Sequence, residues 1–225
     1  TDSSIGGEYH RAFYYDYKGR EIQRVECDFE GNILRTTSRY DLIGNLLAQR
    51  ESYTHGGKTD VLDRTFEYDS RSRMTKETAQ FNDGEQAVVA YTYDDLGQLT
   101  GKTYGTGAHA IHETMDYNMQ GWLTEKSSEL FEMKLRYYDP EPYYGGDAYY
   151  TGNISEWWWQ HKNVNGNYDA DNNTYIFHYD DLSRLNDSRL TYNESEDITD
   201  EFVENGITYD KNSNILTLNR SSLSS

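Results

Sequence analysis

One short phrase recurs along the chain and narrows the folds open to it: Tyr-Asp, two variable residues, Gly, and an apolar side chain soon after. Tyr15-Asp16 with Gly19 leads to Ile22, Tyr40-Asp41 with Gly44 to Leu46, and Tyr93-Asp94 with Gly97 to Leu99. Looser copies are Tyr68-Asp69 with Ser72 and Met74, Tyr117-Asn118 with Gly121 and Leu123, Tyr179-Asp180 with Ser183 and Leu185, and Tyr209-Asp210 with Ser213 and Ile215. Half-copies stand at Asp28 with Gly31 and Ile33, and at Gly152 with Ile154. A repeated unit of this size is read before any single element, because it sets the architecture.

The phrase has a local physical meaning. Asp or Asn at the first position of a type I turn accepts nearby backbone N–H groups, and Gly at the fourth supplies a positive φ. A type I turn closed by a left-handed residue makes a bulged hairpin connection with the twist that strands need. Each copy is therefore expected to be a hairpin tip. The residues leading in alternate with a period of two, as in Tyr175, Phe177, Tyr179, in Ile111, Met115, Tyr117, and in Met133, Leu135, Tyr137, which marks strands. No window carries a long helical stripe with caps. The expectation is an all-β fold, a continuous antiparallel sheet of roughly 12–18 strands.

Composition first argues the other way. Leu, Ile, Val and Phe make up 39 of 225 residues and the net charge is −18, a pairing typical of disorder. The 22 Tyr and 4 Trp reverse that reading, because aromatic rings bury large areas while keeping a polar edge in water. The acidic surplus argues against nucleic acid and anionic membrane as partners, since both are held by clustered Lys and Arg. No apolar run approaches a membrane span. The lone Cys27 excludes an internal disulfide framework and is read as a packed, unreactive thiol. The chain starts at Thr1 without Met and closes on Ser224-Ser225, so it is expected to be part of something longer. The stretch 139–147, with both prolines and a glycine pair, is expected to be a loop that interrupts the array. Within one domain spanning 12–220, residues 1–11 are taken as a flank and 221–225 as a tail.

These phrases resemble the repeat region of RHS/YD-repeat proteins, in particular those of the large Bacteroidetes type. The resemblance rests on Phe13 to Arg20, Tyr93 to Leu99, Gly121-Trp122-Leu123-Thr124, Leu130 to Met133, Gly152 to Ser155 and Ile207 to Asp210, and it covers roughly residues 12–220. It implies a β-ribbon spiralling into a hollow shell, as in polymorphic toxins, insecticidal toxin-complex cocoons and teneurins. Such shells enclose or present a variable C-terminal effector. Neither an effector nor the self-cleaving core segment is recognisable in this sequence. The chain is then wall and not cargo, an open, curved segment with two raw edges, secreted or at the cell surface, partnered by the remainder of its own polypeptide.

The rival readings are chemical. Thirty-nine carboxylates guarantee chance pairs, so glycoside hydrolysis is weakly supported, and no nucleophile motif or zincin-type histidine spacing occurs. The expectation is a protein without catalytic function, cofactor or metal. Gly56-Gly57-Lys58-Thr59 lacks the first glycine of a phosphate loop. Asp169-x-Asp171-x-Asn173 imitates the start of a calcium loop but has Thr174 where Gly is required. Five glycosylation-type sequons, at Asn153, Asn172, Asn186, Asn193 and Asn219, carry little weight in so Asn- and Ser-rich a chain. Trp157-Trp158-Trp159 is the most pointed feature. Alternation puts Trp157 and Trp159 on one face and Trp158 on the other. Either the rings pack the sheet, or an exposed Trp near Tyr149 and Tyr150 stacks on carbohydrate or docks a cell-surface receptor.

Overall fold

The computed structural model describes residues 8–163, 165, 167–192 and 202–221, at 169–171 by their backbone alone. The flank residues 1–7, the tail 222–225, the sequon at Asn193 and the side chains of Asp169 and Asp171 fall outside the described residues. The fold is all-β: sixteen strands form one open antiparallel sheet in which sheet order equals chain order, β1 to β16. Its sole helical element among the described residues is a 3-10 turn at Gly107–His109.

Sequential order follows from tight connections, those of the phrase alternating with others such as Gly56-Gly57 between His55 and Lys58. Every tight hairpin places the next strand beside the last, and antiparallel neighbours need only a short connection. The bulge expected of a type I turn with a left-handed closing residue is present. In β1 (His10–Tyr15) and β2 (Glu21–Cys27) the register shifts between Tyr14 and Tyr15. The same shift falls at Tyr40, between β3 (Ile33–Tyr40) and β4 (Leu46–His55), and at Tyr68, between β5 (Lys58–Tyr68) and β6 (Met74–Phe81). It recurs at Tyr179, between β13 (Tyr168–Tyr179) and β14 (Leu185–Tyr192).

Two compact units are distinguished. The first comprises the described residues of Thr1–Asp94 with Lys102–Ile111, the second those of Asp95–Gly101 with His112–Ser225. In the first, the described residues include no fully buried apolar side chain; Thr36 and Thr78 are the buried ones. In the second, Met115, Tyr137, Tyr144, Ile176, Leu190 and Ile207 are buried. Part of the difference has a local cause. Between β11 (Phe131–Arg136) and β12 (Glu156–Lys162) the expected loop is a long excursion. It lays Tyr144 against Tyr143 and sets Tyr149 edge-on to Tyr179, with ring centroids 4.9 Å apart.

Candidate functional site

The recurring turn is a closed hydrogen-bonded cage. At Asp16, the Gly19 N–H donates to the Asp16 carbonyl at 3.0 Å and the Asp16 N–H to the Arg20 carbonyl at 2.9 Å. One Asp16 carboxylate oxygen accepts the N–H groups of Lys18 and Arg20, at 2.8 and 3.0 Å, and the other accepts Arg20 Nε at 2.7 Å. Asp69 with Arg73 and Asp180 with Arg184 repeat the arrangement. At Asp28, Asp41 and Asp210 an Asn amide, from Asn32, Asn45 and Asn214, replaces the guanidinium. The backbone N–H of Arg20 leads in holding the Asp16 carboxyl below the usual range, and that of Arg73 does so for Asp69; at Asp28, Asp180 and Asp210 the side chains of Asn32, Arg184 and Asn214 lead. The fourth position is left-handed whatever occupies it: Gly19 has φ 77°, while Ser72, Ser183 and Ser213 have φ 60°, 60° and 64°. The turn at Asp41 departs from those at Asp16, Asp28, Asp69, Asn118, Asp180 and Asp210, because the Gly44 N–H donates to the Asp41 carboxylate at 2.7 Å and Gly44 has φ 113°.

Tyr and the apolar residue of the phrase belong to one clasp joining successive copies. Tyr68 donates its hydroxyl to the carbonyl of Leu46 at 2.9 Å, Tyr93 to Met74 at 2.8 Å, and Tyr117 to Leu99 at 2.9 Å. Tyr137, Tyr179 and Tyr209 donate in the same way to Leu123, Ile154 and Leu185. A phenol that must satisfy its hydroxyl when half-buried thus finds the backbone of the preceding copy. A second link uses the residue after the turn. Arg20 lies over the Tyr40 ring at 5.0 Å and donates to the Asp41 carbonyl at 2.7 Å, and Arg73 does the same to Tyr93 and Asp94 at 4.7 and 2.9 Å. Arg184 covers Tyr209 at 4.5 Å.

Sequence reasoning missed these arginines, although their fixed place directly after Gly19, Ser72 and Ser183 was visible. It also missed a turn of the same kind at Asn163, whose side chain accepts the N–H groups of Asn165 and Asn167 at 2.9 and 3.3 Å. The half-copy at Gly152 proves functional in the clasp through Ile154. The glycine itself lies under Trp122, where an added Cβ would stand 3.2 Å from the ring.

The tryptophans divide as alternation requires. Trp157 and Trp159 pair ring to ring at 4.7 Å, and Trp159 stacks on Tyr175 at 5.7 Å. Trp158, on the other face, has the Lys134 ammonium over its ring at 5.2 Å. It borders a hollow of about 210 Å³ shared with Arg136, Tyr144 and Glu156. All three rings are half-buried. Tyr150, named with them, stacks on Tyr138 at 5.7 Å. Glu156 is 1% exposed and accepts the Glu141 N–H at 3.0 and 3.1 Å. Burial pushes its carboxyl up to about 7. The calcium-like Asp169-x-Asp171-x-Asn173 lies within strand β13.

No protein-family model matches the sequence, and no curated protein matches it. Solved structures do share the fold. A crystal structure described as TcdB2-TccC3-Cdc42 aligns with a TM-score of 0.63 at 15% identity, over 90% of this chain and 10% of that one. A second, TcdB2-TccC3 without its hypervariable C-terminal region, aligns at 0.62 and 16% identity, over 94% of this chain and 10% of that one. The chain therefore spans about a tenth of the length of these structural neighbours.

Proposed function

We propose that the chain is a wall segment of a large RHS-repeat protein, secreted or delivered to a surface, whose shell encapsulates or presents a C-terminal effector. The observation that carries this reading is the clasp. From Tyr68 onward, six tyrosine hydroxyls are satisfied by a backbone carbonyl of the copy before, so the copies extend one sheet strand by strand without needing a second layer. The likeness in fold to chains described as TcdB2-TccC3 supports it. On this reading the turn aspartates are structural acceptors, and the chain has no catalytic role and no cofactor. Its partner is the remainder of the same polypeptide, with β1 and β16 (Ile215–Arg220) as the strands that continue the wall.

The test is imaging of the complete gene product by electron cryomicroscopy. The proposal expects β1 and β16 each to pair with further strands around an enclosed space. Free edges with no enclosure overturn it. Hydrolytic turnover abolished by one point substitution in this chain would overturn the non-enzymatic part.

A further inference from the structure

A clasp fixes more than the fate of one hydroxyl. The carbonyls that accept from Tyr68, Tyr93, Tyr137 and Tyr179 belong to Leu46, Met74, Leu123 and Ile154. In all four, the residue two past the acceptor stands opposite the residue three before the tyrosine: Ala48 opposite Thr65, Lys76 opposite Ala90, Glu125 opposite Lys134, and Glu156 opposite Ile176. Clasp and register therefore go together, with the Tyr209 clasp, where Ser188 stands opposite Glu204, as the exception. The two edge strands each hold half of such a joint. Tyr15 ends β1 as Tyr68 ends β5, and it is exposed, with no hydrogen bond from its hydroxyl among the described residues. Ile215 opens β16 as Leu46 opens β4. All six residues of β1 and all six of β16 are exposed, and neither strand carries the lysine or proline that blunts an edge.

We infer that these edges fit each other between molecules: β16 of one copy of this chain pairs antiparallel with β1 of a second copy. The pairing rests on the wall reading, and each copy carries both halves, so a second copy supplies what each edge lacks. Carried over to Tyr15 and Ile215, the register of the four clasps puts Thr217 opposite Ala12, and so Leu216 opposite Phe13 and Leu218 opposite Arg11. Residues directly opposite share a face. The joint therefore covers the exposed side chains of Phe13 and Leu216, while Tyr15 donates to the Ile215 carbonyl. A slip that set Phe13 against Thr217 would lose that apolar pair. Asn214 follows the last turn where Arg20, Arg73 and Arg184 follow others, and the Tyr68 clasp, formed after the turn with Asn45, shows that no guanidinium is required. Such a head-to-tail joint leaves β1 free on one copy and β16 free on the other, so it propagates.

The test is sedimentation velocity over a range of concentrations at physiological salt, which screens the −18 charge. Oligomers that lengthen with concentration are expected. Phe13→Glu and Leu216→Glu should each weaken association about tenfold or more, with unchanged urea midpoints, and Tyr15→Phe should weaken it about fivefold. Mixing the two glutamate variants restores one intact joint, so the mixture should form dimers and stop there. With Cys27→Ser, Ala12→Cys/Thr217→Cys should oxidise to chains linked between copies, and Ala12→Cys/Leu218→Cys should not. Monomers at every concentration would leave the edges to strands of other sequence and overturn the pairing. So would association that survives in either glutamate variant, an unaffected Tyr15→Phe, a mixture that stays monomeric or grows past dimers, or equal linking of the two cysteine pairs. Free edges in the images of the complete gene product strike the wall reading itself.

Discussion

The two units run on the same turn-and-clasp chemistry and differ in how much they bury. In the first unit, strands such as β3, with Arg35, Thr37 and Arg39, put polar side chains at alternate positions, and the buried ones among the described residues are two threonines. In the second, the excursion between β11 and β12 closes over its own sheet, and Ile176 falls to 1% exposure. The comparison separates two sources of stability that most folds mix. The first unit depends on saturated local hydrogen bonding and cross-strand pairs, each contributing a fraction of a kcal/mol. The second adds a true apolar core, where one side chain contributes roughly 2–3 kcal/mol.

The largest expected effect tests that division. Ile176→Ala should destabilise the second unit by about 3 kcal/mol, whereas Leu62→Ala, at a half-buried site in the first, should cost about 1 kcal/mol. Hydrogen exchange resolved by peptide reads both, and equal losses would break the contrast.

Next is pH. Glu156 titrates near 7 in the folded chain, above its ordinary 4.5. Its protonated form therefore favours the folded state, an advantage complete below about pH 4.5 and lost as pH rises through 7, by about 3 kcal/mol at most. The turn aspartates have the opposite sign: their lowered values stabilise above the ordinary 3.8 and fail only as pH drops below it. Between pH 5 and 8 the second unit should weaken while the first stays level. All four tryptophans belong to the second unit, so their fluorescence in urea follows it alone. Glu156→Gln should remove the slope; a slope that survives assigns it to another group.

The smallest effect concerns the turn that both units share. Gly19 and Ser183 have similar positive φ, and an added Cβ at Gly19 meets nothing within 4 Å. Gly19→Ser should cost about 1 kcal/mol from backbone strain alone. Ser183→Gly should be neutral or slightly stabilising, because the greater unfolded-state freedom of Gly offsets part of the gain. Loss at Ser183 larger than at Gly19, measured as urea midpoints, would mean the two turns do not share one conformation.

Sequence alone determined the all-β class, the hairpin tips that carry the phrase, the left-handed fourth position at Ser72, Ser183 and Ser213, and the division of Trp158 from Trp157 and Trp159. Each follows from interactions within a few residues: a carboxylate reaching its own turn, or alternation along one strand. Tertiary structure decided where the tyrosine hydroxyls go, since the Leu46 carbonyl that takes Tyr68 lies 22 residues away in sequence. It also decided that Arg20 serves the copy after its own, and that the excursion carrying Tyr144 buries Glu156. The placing of Thr37 opposite Arg50 was equally hidden, because it depends on the register between β3 and β4. Register is set by turn length and bulge together, and one residue of slip would have put Arg50 on the opposite face.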